Sequence, residues 1–149
     1  MHIVLVEPEI PQNTGSIARL AAATGSPLHL VGPLGFSLED RYLKRAGLDY
    51  WPFVDLHLHD DFAEFRAAAA PRQIFAFSTH ASTSYTQATY AAEDALVFGS
   101  ESRGLPAALH DELAPLWNIP MPGTGVRSLN LANAVSVVLY EGLRQVGEV

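Results

Sequence analysis

The chain contains no cysteine. That absence removes disulfides, thiolate-ligated zinc and thiol nucleophiles together, and it fits a cytoplasmic setting. No apolar run approaches the roughly 18 residues of a membrane span. The opening stretch MHIVLVEPEIPQNTG has neither a basic leader nor a small-residue cleavage site, so no export signal or membrane partner is expected. Positive charge is scarce: 9 Lys and Arg stand against 16 Asp and Glu, a formal charge of -7. A general nucleic-acid binder draws affinity from neutralising phosphates and should be basic. The sum therefore speaks against an RNA partner, and only a local basic patch would overrule it. No GKS or GKT is present, which excludes a Walker loop, and neither HExxH nor GxSxG occurs.

What is present suits a single domain over residues 1–149. Hydrophobic residues make up 48% of the chain, enough for a core and too many for wholesale disorder. HIVLVE (2–7), LHLVG (28–32), QIFAFST (73–79), ALVFG (95–99) and LWNIP (116–120) are short apolar runs of strand type. YWPFVDLHL (50–58) contains another strand, broken early by Pro52. Helices are expected over 16–25, where Ile17, Leu20, Ala21 and Thr24 share a face before Gly25, and over 38–47, 60–70 and 105–114. A last helix is expected from near Asn130 to near Gln145, and HASTSYTQATYAAED (80–94) reads as loop. Alternating strands and helices, with continuously apolar strands, predict an α/β fold: a mostly parallel sheet with helices on both faces. Ligands in such sheets bind beyond the strands' carboxyl ends. The loops to watch follow Glu7, Thr79, Gly99 and Pro120.

Three segments at those ends are unusual: NTGSIAR (13–19), FGSESRGLP (98–106) and PGTGVRSLN (122–130). Each joins glycine, which lets a backbone approach a ligand closely, to a helix N-terminus with free N–H groups. Together they suggest a pocket for a nucleotide-like molecule. Any one of them is equally an ordinary turn, and GTG is not the full dinucleotide fingerprint. Ser128 and Asn130 read as helix caps or as ligand contacts. Gln12, Gly15 and Arg19 form a stripe on the first helix. His57 and His59 share a strand face near Asp60 and Asp61. Without a third ligand at useful spacing they read as surface histidines on a half-exposed strand, and no metal is expected.

NTGSIARLAAATG, LVFGSESRGLP and RSLNLANAVSVVLYEG, in this order, resemble the three motifs of the SPOUT superfamily of methyltransferases, in the branch that methylates ribose 2′-hydroxyls. The flanking EPEIPQNTG, PLGF and KRAGLDYW narrow the resemblance to the small, single-domain tRNA (cytidine/uridine-2′-O)-methyltransferases acting on the wobble nucleotide of leucine tRNAs. It spans the chain from Ile3 to Gln145. Ser16, Ser100 and Ala132 depart from the usual Asn, Pro and Ser at their positions.

The resemblance implies a C-terminal deep trefoil knot, S-adenosylmethionine as methyl donor, a homodimer and an anticodon-arm partner. It implies cofactor contacts at Phe77, Gly99, Ile119 and Ser128, with Glu101 and Asn130 as further candidates for the methionine amine and for loop ordering. It gives Arg19 the central role at the ribose hydroxyl and counts Asn130 with it among the catalytic residues. A guanidinium is a poor base, so gripping a phosphate and orienting the hydroxyl is the alternative to proton removal. RNA-facing charge is expected at Arg41, Lys44, Arg45, Arg103 and Arg127. Tyr50 and Trp51 are candidates for stacking on bases, with a core role as the alternative for Trp51. The competing functions are methylation of another tRNA position or of rRNA, a non-catalytic RNA-binding module, and a generic nucleotide-binding domain.

Overall fold

The computed structural model describes residues 1–43, 45 and 49–149 in full, and the backbone of 44, 46 and 47. Five strands form one parallel sheet: β1 (His2–Val6), β2 (Leu28–Val31), β3 (Leu56–His59), β4 (Ile74–Ala76) and β6 (Ala95–Phe98), in the order β3-β2-β1-β6-β4. Two short parallel strands, β5 (Thr83–Ser84) and β7 (Trp117–Asn118), extend it past β4 through a bridge between Phe77 and Trp117. Among the described residues five α-helices pack around the sheet: α1 (Pro11–Thr24), α2 (Arg41–Gly47), α3 (Phe62–Ala69), α4 (Ala107–Glu112) and α5 (Leu131–Val146).

The strands are apolar on both faces because both faces are covered. Ile3, Leu5, Leu28, Leu30, Phe75, Leu96 and Phe98 meet Ile17, Ala18 and Ala21 of α1 and Val135, Val138 and Leu139 of α5. Alternate residues Val4, Val6, Val31, Ala76 and Val97 meet Phe62 and Phe65 of α3 and Leu109 of α4. Period-two alternation thus separates two cores rather than a core and a wet face. Among the described residues no helix is long and apolar enough to cross a membrane.

Several local expectations change. α1 starts at Pro11, not Ser16. Proline is suited to the first helical position, where its missing N–H is no loss, so Asn13, Thr14 and Gly15 lie in helical turns rather than in a loop. α2 begins at Arg41, three residues later than expected, after the turn in which the Asp40 carboxylate accepts the Tyr42 N–H. Trp51–Phe53 is a 3₁₀ turn ahead of β3, because Pro52 cannot donate to a ladder. The polar segment 80–94 contributes β5.

The surface-histidine expectation holds for His57, whose side chain is 45% exposed, and fails for His59. His29 and His59 are 3% and 8% exposed. His2 Nδ1 lies 2.9 Å from His29 Nε2, and His29 Nδ1 lies 3.0 Å from His59 Nε2, so three strands share one chain of imidazole hydrogen bonds. His57 stacks on His29, and Phe65 meets His29 and His59 edge-on. Burial pushes His29 down from 6.5 to about 3, and the nearby His2, His57 and His59 push the same way. Burial also lowers His2 and His59, against the raising influence of Glu93 and Asp55 on the first and Glu64 on the second.

A histidine depressed in the fold binds its proton more readily when unfolded, so stability is full above the unfolded value and falls as pH drops below it. At a pH about 1.5 units below that value, His29 alone should cost about 2 kcal/mol. Thermal melts from neutral pH down to acid should show this slope, and His29→Phe should remove most of it; equal slopes in the two proteins would contradict the account.

Candidate functional site

The three unusual segments meet at the carboxyl ends of β1 and β6. After β6 the chain turns so tightly that Ser100 and Gly104 exchange both backbone hydrogen bonds. The turn presses Gly104 and Leu105 onto Gly99, where a Cβ would collide with the Gly104 carbonyl carbon and the Leu105 nitrogen. Only glycine fits there. The turn aims Glu101 at the start of α1, where its carboxylate accepts the backbone N–H groups of Glu9 and Ile10 at 2.8 and 3.1 Å and the Asn13 amide at 3.3 Å. A carboxylate at a helix N-terminus meets free donors and the positive end of the helix dipole. In return, the Glu9 carboxylate accepts from the Ser102 hydroxyl at 2.7 and 2.8 Å, which holds it below the usual carboxylate range.

Asn130 closes the network and is the cap of α5. Its Oδ1 caps α5, accepting the N–H groups of Ala132 and Asn133, and its Nδ2 donates to Asn13 Oδ1 at 2.9 Å. Asn13 therefore bridges the motifs: it gives to Glu101 and takes from Asn130. Sequence inspection missed Asn13 and Glu9. Their signal was present in EPEIPQN, but partners 88 to 117 positions away cannot be read from spacing. Asn13→Asp keeps the shape, removes the donor and sets a carboxylate against Glu101. We expect a loss of about 2 kcal/mol in thermal or urea unfolding; an unchanged midpoint would mean the bridge contributes nothing.

The other expected site residues are placed as follows. Phe77 is buried, its ring stacked 4.9 Å from that of Phe98, so its side chain is part of the core. Ile119 is half-buried against the same core. The segment from Pro122 to Asn130 is exposed throughout, and Ser128 has no hydrogen-bond partner among the described residues. Gly123 and Gly125 have open space where a side chain would stand, with no positive φ to require glycine.

The basic residues divide into two groups. Arg66, Arg72 and Arg144 are paired with Glu112, Asp94 and Glu141. Arg19, Arg41, Arg45 and Arg127 are exposed and have no carboxylate partner among the described residues, and Arg103 lies 3.9 Å from Glu9. The Lys44 side chain lies outside the described residues. The Arg19 guanidinium sits 4.7 Å over the Tyr50 ring, so one face of that ring is covered. Trp51 is partly buried against the core, and its indole N–H has no partner among the described residues.

Two surface grooves, of about 450 and 420 Å³, lie between α3 and the start of β4 and beside the ends of β2 and β3. Neither includes Asn13, Glu101 or Asn130, and neither concave surface has the set of donors found at the network.

Comparison with known proteins adds the following. Residues 1–140 match the model of the SpoU rRNA Methylase family. An Escherichia coli K12 protein named tRNA (cytidine(34)-2′-O)-methyltransferase is 47% identical over 148 residues, covering 99% of this chain and 94% of its own. A solved structure described as giving insight into the 2-OH methylation of C/U34 on tRNA superposes with a TM-score of 0.87 at 55% identity, covering 97% of this chain and 94% of that one. The SpoU methyltransferase AviRb from Streptomyces viridochromogenes, solved in complex with AdoMet, gives a TM-score of 0.85 at 27% identity, over 97% of this chain and 60% of its own.

Proposed function

The chain belongs to the SpoU rRNA Methylase family, and from that premise we propose that it is a tRNA (cytidine/uridine-2′-O-)-methyltransferase. Its substrate in this proposal is the wobble ribose in the anticodon arm of leucine tRNAs, its methyl donor is S-adenosylmethionine, and it works in the cytoplasm as a homodimer. The observation that carries the proposal is the Asn13–Glu101–Asn130 network, which draws all three motif segments to one sheet edge.

The residues at that edge suit the donor. Gly99 and Ile119 offer backbone groups beyond the strand ends, and the open glycines and Ser128 leave room and polar atoms on the exposed segment. When bound, S-adenosylmethionine supplies a methyl group on a positively charged sulfur. Phe77 would serve from beneath, as part of the floor under Ile119. Glu101 and Asn130, with their side chains engaged by α1 and α5, would hold the walls in register. Arg19 would fix the RNA, its fork of donors matched to a phosphate, and present the 2′-oxygen in line with the methyl. The proton lost by that hydroxyl would go to solvent or to the neighbouring phosphate, because a guanidinium already carries its own. Arg41, Lys44, Arg45, Arg103 and Arg127 would hold the anticodon arm.

We further propose that the segment from Ile119 to Asn130 threads the C-terminal helix into a deep trefoil knot. In support, this segment must run from β7, beside β4, to the α1 terminus that Asn130 touches. The dimer is supported by Ile10, Leu129, Val137 and Tyr140, large apolar residues exposed at the start of α1 and along α5. Pairing would also set two basic patches along one groove, which answers the chain's net negative charge. The same charge weighs more heavily against the second reading, an RNA-binding module without turnover, because such a module would depend on phosphate affinity alone.

Calorimetric titration separates the ligand classes. We expect saturable S-adenosylmethionine binding and none for NAD or ATP. Tight NAD or ATP binding without affinity for S-adenosylmethionine would replace this function with a generic nucleotide-binding one.

A further inference from the structure

We infer that Tyr50 is a positioning residue for Arg19: its ring holds the guanidinium in the plane from which it meets the RNA. The inference rests on the methyltransferase function proposed above and deepens its central contact.

Arg19 projects from the exposed side of α1. A long side chain without a partner samples many rotamers, and fixing it at the moment of reaction costs free energy. Three other arginines use a carboxylate, Arg66 and Glu112 at 3.1 Å, Arg72 and Asp94 at 2.8 Å, Arg144 and Glu141 at 2.9 Å, and Arg41 lies over the ring of Tyr42 but spends an N–H on its hydroxyl at 2.8 Å. Such pairing fixes a guanidinium but consumes its donors. Arg19 is held differently. Its Cζ lies 4.7 Å from the centroid of the Tyr50 ring, inside the roughly 6 Å reach of a cation–π contact. The guanidinium is held by the face of a ring rather than by an acceptor atom, so its N–H groups have no oxygen partner among the described residues and stay available for a phosphate or hydroxyl.

The ring is itself anchored. The Tyr50 carbonyl accepts the Phe53 N–H at 2.9 Å, which closes the 3₁₀ turn. Trp51, next in the chain, packs against the main core. The turn rests on α1, the helix that carries Arg19. The aromatic platform and the cation are thus fixed to the same rigid element. This assigns Tyr50 a different part from stacking on a base, since one face of its ring is already taken.

The test is steady-state methylation of tRNA by the full-length enzyme with Tyr50→Phe, Tyr50→Leu and Tyr50→pentafluorophenylalanine, together with S-adenosylmethionine affinity and melting temperature for each. The fluorinated ring keeps the shape of Phe and reverses the charge on its face, so it reads the cation–π contact even if the Leu variant folds poorly. We expect Leu and pentafluorophenylalanine to lower kcat about tenfold, Phe to restore what they lose, and cofactor affinity to stay within twofold. Equal kcat for Phe and pentafluorophenylalanine would overturn the inference. So would a rise in KM for tRNA with kcat unchanged, which is the signature of base stacking. A wild-type enzyme that methylates no tRNA would instead overturn the proposed function, and this inference with it.

Discussion

Arg19→Ala should lower methyl transfer at saturating tRNA by about 100-fold or more, the range found when one preorganised donor is removed from a reacting oxygen. S-adenosylmethionine affinity and melting temperature should stay close to wild type. The expectation follows from where Arg19 stands. It is exposed, has no carboxylate partner among the described residues, and touches the fold chiefly through Tyr50. Little folding energy is invested in it, so a truncation that leaves structure intact while removing turnover identifies a group working on the substrate. Single-turnover kinetics make the distinction. A fall in the chemical step places Arg19 at the ribose; a rise in KM alone would make it one more phosphate contact, and unchanged turnover would remove it from the mechanism. Arg19→Lys keeps the charge but loses the planar fork, and should recover only part of the rate.

Gly99→Ala should abolish cofactor binding and lower stability by about 3 kcal/mol, the upper end of ordinary overpacking. The added Cβ would stand inside the Gly104 carbonyl carbon and the Leu105 nitrogen, both backbone, so no side chain can rotate away. The turn from Ser100 to Gly104 would have to open, and Glu101 would leave the start of α1. Two measurements check this: calorimetry with S-adenosylmethionine and thermal unfolding. Gly125→Ala is the matched control. Its Cβ would meet nothing within 4 Å and its φ is ordinary, so stability should be unchanged and any loss of binding would report contact with the ligand itself. Normal cofactor affinity in Gly99→Ala would mean that the tight turn is not part of the site.

The sheet was legible because burial on both faces leaves a continuous apolar signature, as in Val4, Leu5 and Val6. The caps were legible for the same local reason. Asp61 accepts the Glu64 N–H at the start of α3, Gly25 ends α1 in a left-handed turn, and Asn130 opens α5. What stayed hidden depends on register between distant segments. The histidine chain needs three strands aligned so that His29 meets His59 of β3 on one side and His2 of β1 on the other. Asn13 reads as part of a loop because the apolar periodicity begins only at Ile17, although Pro11 at the first helical position already starts the helix. β5 is two residues long and owes its form to its pairing with β7 rather than to any pattern of its own, whereas β7 lies inside the apolar run LWNIP. Phe77 was legible only as apolar: that its ring stacks on Phe98 in the core depends on the pairing of β4 with β6.

The central claim is methyl transfer to a wobble ribose, and one measurement tests it most directly. Labelled S-adenosylmethionine is supplied to the protein with bulk tRNA from a strain lacking its gene, and the labelled nucleotide is mapped by mass spectrometry. We predict label on the 2′-oxygen of the wobble cytidine or uridine of leucine tRNAs. A protein that binds S-adenosylmethionine yet labels no tRNA, or labels a nucleotide outside the anticodon, would contradict it.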